Sequence, residues 1–191
     1  DVLEPDKQPK NLGRGGAKED TNKALFLLQK KEDVELKLRA EEDALEHIKS
    51  RRDKSFLQEK FIDSFKGKGL FTCESIEPSS FVVEYRGNIF ARGEGKHDDT
   101  VENYIFNFSW NRTNWCVDAS AEDGSLGRFV NDEQKNPSCE LKTVVYEGKP
   151  HLCLFALKKI SPGEEITFNY GNRFYPWRSE VRLFIFPLVL S

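Results

Sequence analysis

The sequence predicts a mostly β domain preceded by an amphipathic helical segment. From about Phe61 onward, short runs of β-branched and aromatic residues alternate with turn residues. No long helical pattern separates these runs, which argues against a doubly wound parallel sheet. We therefore expect several small sheets with irregular connections, including a hairpin at Gly148-Lys149-Pro150. The predicted strands are Phe81–Tyr85, Tyr104–Phe108, Trp115–Asp118, Val144–Glu147, Leu152–Phe155 and Ile166–Phe168.

Residues 20–60 predict a charged helical segment, with Thr21 as its N-cap. Apolar residues recur there on one stripe at helical spacing, and a break near Asp33 is compatible with the pattern. Two interpretations of the stripe are open: it packs one edge of the helix on the domain, or it binds a partner, as in a coiled coil. The stripe consists of Leu27, Val34, Leu38, Leu45 and Ile48.

The remaining stretches differ in composition. Residues 1–19 are rich in Lys, Gly, Pro and Asp, which predicts a disordered linker. Residues 61–178 form the predicted domain, and residues 179–191 form an apolar tail of unknown role. The apolar run from Leu183 to Leu190 is shorter than the about 20 residues that a helix needs to span a bilayer.

Charge and cysteine content narrow the function classes. The net charge of −3 argues against a protein whose main work is to bind nucleic acid through its phosphates. The four cysteines form no C-x-x-C pair and show no spacing typical of zinc sites. We interpret them as thiols in a reducing compartment and expect no metal.

Three short segments carry the candidate chemistry. The glycine-rich turn Lys66-Gly67-Lys68-Gly69 precedes a strand, so it lacks the helix N-terminus that a phosphate cradle needs, but its glycines still admit a ligand close to the backbone. Asn131 follows an apolar stretch, and its amide can donate and accept toward an adenine edge or an ammonium. Tyr170 leaves a strand beside Gly171 and can direct a phenol into a cavity. Taken singly, each segment is equally compatible with a plain turn, a cap or a core tyrosine.

The order of these segments resembles that of the SET-domain lysine methyltransferases. The family's G-x-G turn, central strand, R-x-x-N-H segment and aromatic-x-Y-G strand correspond to Lys66–Gly69, Phe81–Tyr85, Arg128–Asp132 and Phe168–Gly171. The resemblance covers about Glu41 to Trp177 and is greatest for the PR-Set branch, which monomethylates a histone-tail lysine. It implies a SET fold of small sheets with a pseudoknot over residues 61–178, and S-adenosylmethionine as cofactor.

Carried over residue by residue, the resemblance implies roles for particular side chains. Tyr170 corresponds to the catalytic tyrosine, Tyr85 and Phe168 flank the channel for the substrate lysine, and Trp177 covers the adenine. The implied cofactor-binding residues are Lys66, Gly67, Lys68, Tyr104, Asn131 and Asp132. The expected activity is methyl transfer to a lysine of a histone tail or nucleosome by a nuclear, chromatin-associated monomer. No membrane association and no sequence-specific nucleic-acid binding are expected.

The sequence departs from the family pattern at two site positions. Asp132 stands where most members have His, and its added negative charge is expected to weaken or retune cofactor binding. Phe168 stands where the PR-Set monomethylating enzyme has Tyr, and the missing hydroxyl leaves room for a second methyl group. Two other functions stay open: an inactive SET module that binds chromatin or protein, and a charged helical adaptor whose β-rich part is scaffold.

Overall fold

Residues 16–91 and 104–171 are described in the computed structural model of the protein. This part of the chain contains the helix α1, which spans Gly16–Ser50, followed by ten short strands. The strands are β1 (Leu57–Asp63), β2 (Gly67–Thr72), β3 (Phe81–Glu84), β4 (Asn88–Ala91), β5 (Ile105–Trp110), β6 (Thr113–Asp118), β7 (Asn131–Asp132), β8 (Cys139–Tyr146), β9 (Lys149–Ala156) and β10 (Glu165–Phe168).

The strands of the described residues form two sheets. A seven-stranded sheet has the order β1-β2-β10-β8-β9-β3, with β7 also paired to β10, and a three-stranded sheet has the order β4-β6-β5. Strand β10 is antiparallel to β2 but parallel to β7 and β8. It therefore joins three segments that are far apart in the sequence. The mostly β fold behind a helix is confirmed.

Two hairpins turn through a pair of residues that both have positive φ. Glu147 and Gly148 have φ values of 49° and 74°, and they connect β8 to β9. Positive φ at both central residues matches the right-handed twist of the flanking strands. Asn111 and Arg112 form the same kind of turn between β5 and β6, with φ values of 49° and 62°. The hairpin predicted at Gly148 is present, although its turn begins one residue earlier.

Two buried clusters form the core of the described residues. The larger cluster lies within the sheets and includes Leu70, Val82, Leu154 and Ile166. The smaller cluster seals α1 against β3, β8 and β9, because the small side chains of Ala40 and Ala44 let the helix approach closely. Its members are Ala40, Ala44, Ile48, Phe81, Val144, Cys153 and Phe155.

The helix differs from its predicted form in three respects. It is continuous through Asp33, it begins at Gly16 rather than after Thr21, and it ends at Ser50. Only its C-terminal third packs on the domain, since Leu27, Val34 and Leu38 are exposed. Residues 16–19, assigned to the linker, lie in the helix, and the rest of the division into segments stays a prediction. Residues 1–15 and 172–191, including Trp177 and the apolar tail, lie outside the described residues. Among the helices described, none is long and apolar enough to cross a membrane.

Candidate functional site

The glycine-rich turn is stabilised by the carboxylate of Asp63, which precedes it. Asp63 Oδ1 accepts hydrogen bonds from the backbone N–H groups of Phe65 at 2.8 Å and Lys66 at 2.7 Å. These bonds lower the pKa of Asp63 below its ordinary value because they favour the ionised carboxylate, and the bond from Lys66 has the largest effect. Gly67 then takes a φ of 72°, which favours glycine. The turn thus enters β2 with its backbone open to a ligand.

Asn131 is brought to this turn by strand pairing. Strand β7 runs parallel to β10, with Asn131 opposite Thr167. The side-chain amide Nδ2 of Asn131 donates to Glu165 Oε1 at 2.8 Å and to the carbonyl oxygen of Lys68 at 3.2 Å. The amide therefore links β7 to both β10 and β2.

Tyr170 is fixed at two points by the segment that carries Asn131. Its phenol donates to the carbonyl oxygen of Val130 at 2.6 Å. Its backbone N–H donates to Asp132 Oδ1 at 3.0 Å. The phenol at 170 and the amide at 131 consequently lie on adjoining parts of one surface.

Arg128 adds a buried cation to the same surface. It lies in a short 3-10 turn, Gly127–Phe129, where a Cβ on Gly127 would overlap the carbonyl oxygen of Glu84. The guanidinium stacks over the ring of Tyr104 at 4.3 Å and is also 5.6 Å from that of Phe129. Its Nε and Nη1 atoms are buried and have no hydrogen-bond partner among the described residues. A group that completes these bonds would therefore be anionic or a hydrogen-bond acceptor.

These segments enclose a cavity of about 700 Å³. All six predicted cofactor-binding residues and the predicted catalytic tyrosine contribute to its wall. Three cationic side chains, those of Lys66, Lys68 and Arg128, contribute to the wall, and so do the carboxylates of Asp132 and Glu133. The complete lining is Phe65, Lys66, Gly67, Lys68, Tyr104, Arg128, Phe129, Asn131, Asp132, Glu133 and Tyr170.

The two residues predicted to flank the lysine channel lie behind the cavity. Phe168 and Tyr85 are only 1% and 6% exposed, and neither contributes to the lining. They belong to an aromatic cluster that reaches Tyr170, since the Phe168 and Tyr170 ring centroids are 4.7 Å apart. Phe106 completes the cluster, at 5.8 Å from Phe168 and 6.1 Å from Tyr85. Their predicted role in a substrate channel stays a prediction.

Sequence reasoning named no role for Arg128 or Glu165. Arg128 is the first residue of the Arg128–Asp132 motif, and its position three residues before Asn131 could have indicated a cation at the site. Glu165 looked like part of a turn, and its contact with Asn131 depends on a strand pairing that no local pattern reports. Among residues 16–91 and 104–171, no group of three or more His, Cys, Asp or Glu side chains could hold a metal ion.

Comparison with protein-family models matches residues 67–171 to the SET domain. The chain belongs to the SET-domain family. The matched region includes the Asn131 segment, the Tyr170 strand and the turn from Gly67 onward, and Lys66 immediately precedes it. The predicted family and fold class are confirmed.

Named relatives of this SET domain are protein-lysine methyltransferases. Caenorhabditis elegans histone-lysine N-methyltransferase set-1 is 36% identical over 124 residues, which cover 61% of this chain and 51% of the relative. Danio rerio N-lysine methyltransferase KMT5A-A is 35% identical, over 60% of this chain and 35% of the relative. Drosophila melanogaster histone-lysine N-methyltransferase Set8 is 32% identical, over 59% of this chain and 18% of the relative. The chain thus spans about half the length of the first relative and less of the other two.

A solved structure shares the fold. The crystal structure of CpSET8 from Cryptosporidium superposes with a TM-score of 0.53 at 28% sequence identity. The superposition covers 62% of this chain and 58% of that protein. The similarity to Set8 proteins agrees with the resemblance to the PR-Set branch.

Proposed function

We propose that this SET domain transfers a methyl group from S-adenosylmethionine to the side-chain amine of a protein lysine. The observation that carries the proposal is the meeting of Tyr170 and Asn131 on the wall of one cavity, beside the glycine-rich turn. The family and its methyltransferase relatives support the same reaction class.

The cavity fits the proposed cofactor in size and in the chemistry of its donors. The cofactor carries a carboxylate, which suits the unpartnered nitrogens of Arg128. Lys66 and Lys68 also line the cavity, where they pair with Glu165 and Glu59. The amines of the cofactor are donors, and the side-chain oxygen of Asn131 is an acceptor. We therefore assign binding of the methionine part to the turn at Lys66–Lys68 and to Arg128, with Tyr104 beside it. Asn131 and the backbone at Asp132 hold the adenine and the amino-acid side.

S-adenosylmethionine supplies a methyl group on a sulfonium, and a neutral amine is the nucleophile that takes it. A lysine with an ordinary pKa of about 10.4 is neutral in roughly one molecule in a few thousand at pH 7, a deficit of about 4–5 kcal/mol. The buried rings of Phe168 and Tyr85 and the partly buried ring of Phe106 exclude water on the far side of Tyr170. An apolar surrounding lowers the pKa of an amine because it penalises the charged form. The aromatic cluster thereby favours the reactive state.

Tyr170 has the geometry of an orienting group. Its ring packs on Phe168 and its hydroxyl is held by the Val130 carbonyl, so the phenol has little freedom to rotate. A fixed phenol oxygen can align an amine with the methyl group, and such alignment accounts for a large share of the rate in methyl transfer.

The substrate and location follow from the named relatives. Two of those relatives are histone-lysine methyltransferases by name. We propose a histone tail or nucleosome as substrate, a nuclear and chromatin-associated location, and a monomeric enzyme.

Asp132 does not favour the alternative of an inactive binding module. The residue was expected to disturb the cofactor site through its charge, but its carboxylate accepts the backbone N–H of Tyr170. The aspartate at the family's histidine position therefore has a use within the same site.

The test combines cofactor binding with methyl transfer to core histones and nucleosomes. Calorimetry should detect binding of S-adenosylmethionine by the wild type. Tyr170→Phe should lower kcat about a hundredfold, because a fixed polar group is lost at the reacting centre, and should leave the cofactor Kd within about threefold. Tyr146→Phe is the matched control, since Tyr146 lies on β8 away from the cavity. Binding without transfer by the wild type would instead support the module, and absence of binding would refute the proposal.

A further inference from the structure

We propose that Glu165 is a positioning residue that fixes the amide of Asn131, so that the side-chain oxygen of Asn131 faces the ligand as an acceptor. This inference rests on the proposed function, because it concerns the same cavity. Glu165 does not line that cavity, so its effect on the ligand passes through Asn131.

Strand pairing places the two side chains on one face of the sheet. Asn131 is opposite Thr167 in the parallel pair of β7 and β10. Glu165 precedes Thr167 by two residues, and residues two apart in a strand project to the same face. The result is the 2.8 Å hydrogen bond from Asn131 Nδ2 to Glu165 Oε1.

The surroundings allow only one orientation of the amide. Nδ2 faces two acceptors, the Glu165 carboxylate and the Lys68 carbonyl, and neither can donate a hydrogen. Reversing the amide would place its oxygen against both of them, and three acceptors would then be left without a donor. None of the described residues donates to Asn131 Oδ1, so this oxygen is available to an N–H donor of a ligand in the cavity.

Gly69 leaves the space in which this contact forms. A Cβ on Gly69 would lie 3.0 Å from Glu165 Oε1, 3.1 Å from Asn131 Nδ2 and 2.6 Å from Ile62 Cδ1. Any side chain at this position would therefore press on the hydrogen bond from two sides. Gly69 therefore leaves room for the hydrogen bond between Asn131 and Glu165, whereas Gly67 supplies the positive φ of the turn.

The hydrogen bond to Asn131 contributes more to this site than the ion pair that Glu165 also makes. Glu165 Oε2 is 3.7 Å from Lys66 Nζ, and the lysine side chain is 46% exposed. An exposed ion pair at such a distance contributes little, because water screens both charges. A partly buried hydrogen bond contributes more and also fixes the direction of its donor. Glu165→Gln removes the charge but keeps an acceptor, so it should preserve the orientation of the amide.

Three variants separate these contributions. Glu165→Leu removes both contacts, whereas Glu165→Gln keeps an oxygen that accepts from Asn131. Glu59→Leu is the matched control, because Glu59 pairs with Lys68 of the same turn at 2.8 Å but has no bond to Asn131. By calorimetry with S-adenosylmethionine, we expect Glu165→Leu to raise Kd at least tenfold, and Glu165→Gln and Glu59→Leu to change it less than threefold. If Glu165→Leu does not fold, Glu165→Ala, which adds no volume, takes its place.

A double-mutant cycle tests whether Glu165 acts through Asn131. In the Asn131→Ala background, Glu165→Leu should change the Kd for S-adenosylmethionine less than twofold. A tenfold loss in that background would overturn the inference, since Glu165 would then act independently of the amide.

A second readout needs no cofactor. In nuclear magnetic resonance spectra of the free protein, the two side-chain amide protons of Asn131 should give well-separated signals that exchange slowly with water, assigned by their loss in Asn131→Ala. Glu165→Leu should move these signals toward the positions of a solvent-exposed asparagine amide and speed their exchange with water, and Glu59→Leu should leave them in place. Unchanged signals in Glu165→Leu would refute the positioning role. If the wild type fails to bind S-adenosylmethionine, the proposed function is wrong, and these spectra still decide the role of Glu165.

Discussion

At the scale of the residue, Phe168 is the position from which we predict how many methyl groups the proposed substrate lysine receives. The position carries Tyr in the PR-Set monomethylating enzyme that the sequence resembles, and Phe lacks the hydroxyl that would occupy space beside the amine. Its ring is 1% exposed and packs 4.7 Å from the Tyr170 ring, so a hydroxyl there would be added at the predicted reacting centre.

We therefore expect the wild type to dimethylate a peptide substrate and Phe168→Tyr to stop at one methyl group. An added atom in such a packed site costs about 1–3 kcal/mol, so chemical denaturation should accompany the product analysis to show that the variant is folded. Mass spectrometry of the product over a long time course measures the outcome. Only monomethyl product from the wild type at late times would show that Phe168 does not set the product.

The site residues were partly predictable from the sequence, whereas the contacts that hold them in place were not. Lys66, Tyr104 and Asn131 were predicted because each lies in a segment that resembles the family, and the fold places them on one wall. The partners that hold them were not predicted. Glu165 lies 34 positions from Asn131, and Asp132 lies 38 positions from Tyr170. A contact across such a separation depends on strand register, and a local pattern of residue types does not contain it.

At the scale of the element, the residues that predict the helix α1 are not the same set as those that dock it on the domain. The apolar spacing predicted a helix correctly, yet Leu27, Val34 and Leu38 of the predicted stripe remain exposed. Docking uses Leu45 and Ile48 of that stripe together with Ala40 and Ala44, whose small side chains allow close approach but carry little hydrophobic signal. The sequence therefore predicted the helix and part of its buried face.

This distinction predicts different costs for two truncations on one helix. Ile48 is 5% exposed and packs in the smaller core cluster, so Ile48→Ala should lower the free energy of unfolding by about 2–4 kcal/mol. Leu38 is 56% exposed, and Leu38→Ala should change it by less than about 0.5 kcal/mol. Chemical denaturation measures both values. Equal losses in the two variants would mean that the exposed part of α1 is also covered in solution.

At the scale of the whole molecule, a network of charged and polar side chains connects the segment after α1 to β3, to β9 and to the backbone at Leu126. Arg86 donates to Asp53 and to Glu84, each at 3.1 Å, and Glu84 also contacts His151 Nδ1 at 2.7 Å. Asp53 accepts the backbone N–H of Leu126 at 2.8 Å, just before the turn that carries Arg128. The network thereby links the helical segment to the site. None of these pairings was predicted, because isolated charges in a sequence are most often solvated.

The four cysteines give a test of the whole fold. Cys73 is exposed, whereas Cys116, Cys139 and Cys153 are buried. Burial raises the pKa of Cys139 from 9.0 to about 12 and also raises that of Cys153, because desolvation disfavours the thiolate. A raised pKa stabilises the fold while both thiols stay neutral, and this contribution is lost as the pH rises above their ordinary value of 9.0. The thiolate is the nucleophile, so the buried thiols should be inert near pH 8.

We expect an alkylating reagent at pH 8 to modify one thiol of the native protein quickly, and all four after denaturation. Cys73→Ser should abolish the fast phase. The slower reactions should report local opening, since Cys116 lies in the three-stranded sheet and Cys139 and Cys153 lie in the seven-stranded sheet. Because these sheets share no strand in the described residues, different labelling rates for Cys116 and for the other two would show that they open independently. A second thiol that reacts as fast as Cys73 in the native protein would contradict the burial on which the core rests.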